Sequence, residues 1–212
     1  YYPKLQVSIP FTPVTGTRLL APAGEAGAAI RTQLVAGLRA LRLKTGASSI
    51  HATFLRADDH AAFMEDDFLA RIDQQFHWLD NGYGDFEGFL ASLASRKRKA
   101  IRKERRKVSE AGLELLCLSG DEIEERHWDA FFHFYIDTYD RKWGSPYMNR
   151  DTFRRFHDSL RERIVLVMVY HGGQAVAGAL NLRGRDTLFG RNWGCTRDVP
   201  FLHFEVCYYQ AI

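Results

Sequence analysis

Three short stretches in the last third of the chain, residues 164–170, 175–182 and 187–193, are rich in apolar and β-branched side chains. Such runs, bounded by turn residues, are typical of strands. His171-Gly172-Gly173 joins the first two stretches, and residues 183–186 join the second and third. Short links that contain glycine favour hairpins. The pattern therefore predicts an antiparallel meander of three strands.

The first third of the chain shows alternation that is typical of half-buried strands. Residues 4–11 place Leu5, Val7, Ile9 and Phe11 on one face. A two-residue period predicts a strand there, and the prolines flanking it indicate an edge strand. Residues 50–55 and 72–78 are predicted to form two further strands.

Helical spacing alternates with these strands. Residues 25–44 are predicted to form a helix that Gly46 ends, and Asp58 is placed to cap a short helix through Met64. Asp85 is placed to cap one continuous helix over residues 86–111.

The second half continues this alternation. Gly112 would end the long helix, and residues 113–118 read as a strand. Asp121 is placed to cap a helix with a stripe of aromatic residues, and Asn149 or Asp151 to begin another. A last helix is expected to begin near Pro200, directly after the third strand of the meander.

The turn Asp80-Asn81-Gly82 is the expected domain boundary, which gives domains 1–84 and 85–212. The element order predicts an α/β (α+β) fold, a mixed and mostly antiparallel sheet flanked by helices. The chain has 212 residues and is 46% hydrophobic, which allows a substantial core. No apolar run approaches the roughly 20 residues that span a bilayer. Three cysteines without metal-ligand spacing favour a reducing compartment, so we expect a cytoplasmic protein without a metal site.

The positive charge is concentrated in one segment. The net charge is +3, yet residues 96–107 alone hold nine basic residues and one acidic residue. Repulsion at this density opposes helix formation unless anions relieve it, so the segment favours an anion-binding role for Arg98, Arg102 and Arg105. The alternative is a solvated helix face with local ion pairs to Glu104.

The corner between the third strand and the last helix, within residues 188–210, carries the candidate chemistry. Arg191 and Trp193 lie on the strand, and Glu205 lies about one turn into the helix. Arg191, Trp193 and Gly194 would bind an anionic donor at the helix start, or Arg191 would pair with Glu205 and Trp193 would fill core space. Glu205 is a candidate general base, because a carboxylate in a partly dry cleft can have a raised pKa.

Other polar side chains near this corner have two interpretations each. His203 is either a proton acceptor or a surface histidine, and Tyr208 either protonates a leaving group or packs. Tyr139, Lys142 and Trp143 precede or begin a loop that would border an acceptor site. We expect no tightly bound cofactor.

The sequence also resembles a known family. The run FGRNWGCTRDVPFLHFEVCYYQAI, the basic run SRKRKAIRKERRKVSEAG and the segment TYDRKWGSPY resemble the FemAB-like domain of peptidoglycan biosynthesis or recognition, a relative of the GNAT acyltransferases. The resemblance implies a GNAT-like fold, and Fem-type proteins contain two copies of it. The chain is therefore expected to be a fragment of such a tandem, with the end of one copy and most of the next.

The resemblance implies an acyl- or aminoacyltransferase that acts on an amine, for example on a peptidoglycan precursor. The donor would be an acyl-coenzyme A or an aminoacyl-tRNA, the latter held through the basic helix. GNAT enzymes that use acetyl-coenzyme A show R/Q-x-x-G-x-G/A, whereas Arg191, Gly194 and Thr196 give R-x-x-G-x-T, which leaves the donor open. The alternative is a catalytically inactive GNAT-like module that binds nucleic acid or a muropeptide through the basic helix.

Overall fold

The computed structural model describes residues 2–10, 12–141 and 144–212. The chain divides into two compact units, residues 1–78 and 79–212. Both units combine helices with strands, which confirms the predicted mixed fold at this coarse level. The assignment of the two units as copies of one GNAT-like fold stays a prediction. Within the described residues, no helix is long and apolar enough to cross a membrane.

The first unit is a small layer of helix on sheet. β1 (Leu5–Val7) pairs in parallel with β2 (Ile50–Ala52), and α1 (Glu25–Thr45) connects them. α2 (Ala57–Glu65) follows β2. The core of this unit consists of Leu19, Val35, Ala62 and Phe63.

Three predictions for the first unit need correction. The predicted strand over residues 72–78 is absent from the described structure, and Ile72 is 95% exposed. Alternation alone does not form a strand where no neighbouring strand supplies hydrogen bonds. Asp58 is not the cap of α2, because the helix begins one residue earlier, after Arg56. The strand predicted over residues 4–11 is shorter, and Phe11 lies outside the described residues.

The second unit is built on a four-stranded antiparallel sheet in the order β3-β4-β5-β6. Its strands are β3 (Leu113–Ser119), β4 (Ile164–His171), β5 (Gln174–Arg183) and β6 (Leu188–Cys195). The register of β4 to β6 confirms the predicted meander.

Alternation along these strands gives the sheet two buried faces. Leu166, Met168 and Leu180 pack into one core with α5 (Glu125–Arg141) and α6 (Arg150–Leu160). Val167 and Val169 pack into a second core on the opposite face, together with the last helix (residues 202–209). The unit therefore has three layers, with the sheet in the middle.

The caps of α5 and α6 were predicted with mixed success. Asn149 caps α6, since its side-chain oxygen accepts from the Thr152 amide at 3.0 Å. Asp121 does not cap α5; it lies in a 3-10 turn (Gly120–Glu122) before that helix. Ser119 and Glu122 form a reciprocal capping box that starts the turn, and this box ends β3 before α5 can begin.

The predicted continuous helix over residues 86–111 is wrong. α3 (Phe86–Ser92) and α4 (Ser95–Ser109) are separated at Leu93, whose φ and ψ of −88° and 153° are extended. The Ser92 hydroxyl donates to the Phe89 carbonyl at 2.7 Å, and the Arg98 guanidinium donates to the Ala91 carbonyl at 3.2 Å. These side chains satisfy the carbonyls that a continuous helix would have used, which stabilises the break. Asp85 caps α3 as predicted, accepting from the Gly88 amide at 2.7 Å.

The last helix also differs from its prediction. Phe201 has a φ of 69°, so the helix begins at Leu202 rather than near Pro200. It continues as a π-helical turn, Glu205–Tyr209. Regular helical spacing after Phe201 would turn Phe204 and Tyr208 to the inner face, yet they are 49% and 50% exposed.

β6 and α5 approach each other closely at Gly194. A Cβ atom at Gly194 would lie 2.5 Å from the Phe134 carbonyl oxygen of α5. Gly194 pairs in register with Gly178 of β5, where a Cβ atom would lie 3.1 Å from the Phe131 ring. The two glycines let α5 lie directly on the sheet.

We expect Gly194→Ala to lower the free energy of unfolding by about 1–3 kcal/mol, because the added methyl group must displace helix backbone. Gly190→Ala in the same strand is the matched control, since its Cβ atom would meet nothing closer than the Asn181 side chain at 3.6 Å. Urea denaturation of both variants measures the difference. Equal losses in both would refute the close-contact account.

Candidate functional site

An ion pair between the half-buried Arg105 and the buried Glu205 joins α4 to the last helix. The Arg105 guanidinium donates from Nε to Glu205 Oε2 and from Nη2 to Glu205 Oε1, each at 3.0 Å. Gln210 Nε2 donates to the same Oε1 at 2.7 Å. The Glu205 side chain is 6% exposed. Its oxygens are thus occupied by donors from both helices.

A second contact between the same two helices lies beside this pair. The Tyr209 hydroxyl donates to Glu104 Oε2 at 2.6 Å. Burial of Tyr209, with the adjacent Glu104 carboxylate, raises the pKa of its phenol above the ordinary value, so the hydroxyl keeps its proton. The Phe86 ring contacts Tyr209 edge-on. The Arg105 guanidinium lies 4.3 Å from the centroid of the Phe86 ring.

These contacts form one wall of a cleft of about 480 Å³. α3, α4, β3 and the last helix line it. The lining residues are Phe86, Glu87, Leu90, Arg102, Arg105, Arg106, Val108, Ser109, Leu113, Leu115, Glu205 and Gln210. Glu205 therefore lies beside a cavity, as predicted, but inside a closed ion pair.

Arg191, expected at the same corner as Glu205, does not line this cleft. Strand alternation would place Arg191 on the same face as Trp193, which packs towards the last helix. However, β6 has a bulge here: Asn192 pairs with Leu180 and Gly190 with Asn181, so Arg191 is the extra residue. A bulge redirects a side chain. Arg191 Nη2 accordingly donates to the Tyr147 hydroxyl at 2.5 Å, on the α5 side of the sheet.

Arg191 instead belongs to a tyrosine cluster. Tyr147 packs edge-on against Tyr139 and Tyr135 of α5, with ring centroids 5.9 and 6.2 Å apart. The Tyr135 hydroxyl accepts from the Tyr147 and Met148 amides, which fixes the loop position. Burial and the neighbouring Tyr147 raise the pKa of Tyr139. Tyr147 thus contacts both Arg191, which was predicted to bind the donor, and Tyr139, which was predicted to border the acceptor site. Lys142 and Trp143 lie outside the described residues.

His203 lies on the opposite face, in an aromatic cluster with Trp193. The ring centroid of His203 lies 5.4 Å from that of Trp193 and 5.7 Å from that of Tyr208. His203 and Tyr208 are exposed, whereas Trp193 is half-buried. This cluster keeps the imidazole beside the C-terminal half of β6.

The outer edge of β6 is partly covered by the end of α5. The Thr138 hydroxyl donates to the Trp193 carbonyl at 3.4 Å, and Arg141 donates to the Cys195 carbonyl. Gly194 is buried between these two residues, under α5. The absence of a side chain at Gly194 lets α5 pack directly against β6.

The basic segment is divided by its helix into two faces. The three arginines predicted to bind anions all have partners within the second unit. Arg98 donates to carbonyls at the end of α3, Arg102 donates to Glu87 at 2.5 Å, and Arg105 donates to Glu205. On its outer face, five exposed cations form no ion pair among the described residues: Arg96, Lys97, Lys99, Lys103 and Lys107. The stripe is roughly 16 Å long at 1.5 Å per residue. Any polyanion contact would therefore use this face.

Sequence reasoning missed Tyr147 and the pairing of Arg105 with Glu205. The two members of the ion pair are 100 residues apart, and only the fold brings them together. Tyr147 is the last residue of the segment TYDRKWGSPY, so the resemblance points to its loop but not to its role.

We expect Glu205→Gln to lower the free energy of unfolding by about 1–3 kcal/mol, because the half-buried Arg105 guanidinium loses its charged partner. Glu87→Gln is the control, since it breaks the exposed pair with Arg102 and should cost less than about 1 kcal/mol. Chemical denaturation of both variants gives the comparison. A Glu205 variant as stable as the Glu87 variant would show that the buried pair contributes little.

A family model described as FemAB-like, peptidoglycan biosynthesis/recognition, matches residues 1–212. No curated protein matches the chain. The family match covers the basic helix, the tyrosine cluster and the corner after β6 together. The chain therefore belongs to the FemAB-like family.

Proposed function

We propose that the second unit transfers an acyl or aminoacyl group from an activated carrier to an amine of a peptidoglycan precursor. The observation that carries the proposal is the bulge at Arg191 in the edge strand β6, with His203 on the following helix. Family membership supplies the link to peptidoglycan. The order β3, α5, α6, β4, β5, β6 and last helix supports a GNAT-like core that ends at its third helix.

The bulge supplies a means to polarise the acyl carbonyl. An extra residue in an antiparallel strand interrupts the regular ladder and bends the strand at that point. β6 is an edge strand, which a substrate can approach from outside the sheet. A backbone N–H at the bulge would stabilise negative charge that develops on the carbonyl oxygen.

We assign to His203 the role of accepting the proton of the attacking amine. A neutral imidazole has a ring nitrogen that can accept a proton, and His203 is exposed beside Trp193 of β6. The amine nitrogen would form a bond to the carbonyl carbon, and the bond from that carbon to the carrier would break. His203 would take the amine proton, and the leaving thiolate or alkoxide would receive a proton from Tyr208 or solvent.

Glu205 is assigned a positioning role. Protonation of Glu205 would disrupt a closed ion pair, because both of its oxygens accept from Arg105 and Oε1 also accepts from Gln210. The pair instead anchors the helix that carries His203. On the other face of β6, Tyr139 and Arg191 would border the acceptor, which approaches the edge from the α5 side.

The donor is either a coenzyme A thioester or an aminoacyl-tRNA. The transfer would take place in the cytoplasm. Arg191 points away from the last helix, so it does not form the phosphate clamp that R-x-x-G-x-G/A provides. The outer stripe of α4 favours a donor with an extended polyanionic carrier, which is the tRNA. Trp193 and Gly194 would then shape the strand edge rather than bind the phosphate.

A thermal-shift titration of the full-length protein tests donor class. Stabilisation by aminoacyl-tRNA above that given by deacylated tRNA supports the proposal, as does stabilisation by a coenzyme A thioester. Equal stabilisation by any nucleic acid, with no transfer to muropeptide amines, would instead support a binding module.

We expect His203→Gln to lower kcat for transfer by about 10²–10⁴-fold with little change in donor affinity, because it removes the proton acceptor. His133→Gln on the exposed face of α5 is the control and should retain activity. Single-turnover transfer of a radiolabelled aminoacyl group to a muropeptide amine measures both. Full activity of the His203 variant would reject this assignment.

A further inference from the structure

The cleft between α3, α4, β3 and the last helix has features that the proposed transfer reaction does not use. Among the described residues, its lining does not include Arg191, Trp193 or His203. Its volume of about 480 Å³ lies within the range of small-molecule sites. The cleft is therefore a candidate binding site in its own right.

The floor of the cleft is apolar. Phe86, Leu90, Val108, Leu113 and Leu115 line it, and they come from α3, α4 and the edge strand β3. Leu90 and Val108 belong to the buried core, while Phe86, Leu113 and Leu115 are half-buried and face the open space. Each methylene group that a ligand buries here would tighten binding by about fourfold. The floor thus suits an alkyl or acyl chain.

The wall is cationic. Arg102, Arg105 and Arg106 face Glu87 and Glu205, which leaves a net charge of +1. Arg102 and Arg105 each pair with one of these glutamates. Arg106 is exposed and forms no ion pair within the part of the chain that the structure describes. One positive charge in the wall is thus uncompensated.

We propose that this cleft binds a small anionic amphiphile, a single alkyl or acyl chain that ends in a carboxylate or a phosphate. Arg106 holds the head group, and Arg102 joins it by exchanging its exposed partner Glu87 for the ligand. The chain lies on Phe86, Leu113 and Leu115. Neither a free anion nor a neutral chain satisfies both the cation and the apolar floor.

The ligand also contacts the last helix through Glu205 and Gln210. An occupied cleft therefore stabilises the contact between α4 and that helix. The inference is independent of acyl transfer, because it rests on residues outside the proposed reaction centre apart from the positioning residue Glu205.

Calorimetric titration of the full chain with decanoate and with decyl phosphate, below their micelle-forming concentrations, tests the proposal. We expect saturable binding of one molecule per chain, with shifts of the Leu113 and Leu115 methyl resonances. Acetate and inorganic phosphate test the head group alone, and decyl maltoside tests a neutral head on the same chain. All three should bind at least tenfold more weakly. The relative affinities of decanoate and decyl phosphate identify the head group.

Arg106→Gln should weaken binding of both probes by about tenfold, the loss expected for one charge-assisted hydrogen bond. Arg106→Lys should keep most of the affinity, and Arg96→Gln, on the outer face of the same helix, should leave it unchanged. Equal weakening by Arg96→Gln would show non-specific adsorption. Unsaturable binding, equal affinity for decyl maltoside, or Leu113 and Leu115 resonances that do not move would each overturn the proposal.

Discussion

The ion pair between Arg105 and Glu205 holds together the two elements on which the account of function rests. α4 carries the basic stripe, and the last helix carries His203. Their contact also includes the hydrogen bond between Tyr209 and Glu104, and Phe86 of α3 packs against Tyr209 beside it. A buried charge pair is weak evidence for added stability, because desolvation offsets much of the attraction. Its geometry nevertheless fixes which residues of each helix meet.

This contact gives the basic segment two roles. Side chains on the inner face satisfy carboxylates and carbonyls within the second unit, and they make the helix a rigid element. The outer face presents only cations, which suits a polyanion and relieves the repulsion among them when it binds. A flexible basic tail would bind the same partner but would lose more entropy on ordering.

The bulge in β6 separates the chemistry onto two faces of one edge strand. Arg191 and the tyrosine cluster lie on the α5 side, and His203 and Trp193 lie on the side of the last helix. A substrate at the edge of the strand could reach both. The close contact at Gly194 ties this edge to α5, so the corner is held from both sides.

Local patterns predicted most elements of the second unit. The meander, the Asn149 cap and the Asp85 cap all follow from rules that act over a few residues. The errors arise where tertiary contacts decide. The break at Leu93 depends on Arg98 reaching back to α3, and the direction of Arg191 depends on a bulge that no turn residue announces.

The first unit shows the same limit. Residues 72–78 carry the alternation of a strand, but a strand also needs a neighbour that accepts its hydrogen bonds. Arg191, Glu205, His203 and Tyr139 all lie in side-chain clusters, and their roles as site residues stay predictions. Their partners could not be found, because Glu205 meets a residue 100 positions away.

The measurement that tests the central claim most directly is transfer activity after both members of the buried pair are replaced together, Arg105→Met with Glu205→Leu. Apolar side chains of similar volume can replace a buried ion pair without loss of the fold. If Glu205 only positions the last helix, kcat should stay within about threefold of the wild-type value. The pH dependence of kcat should keep the wild-type shape. A fall of about 10²-fold or more in kcat, with the fold intact by circular dichroism, would show that Glu205 itself accepts the proton and would contradict the account.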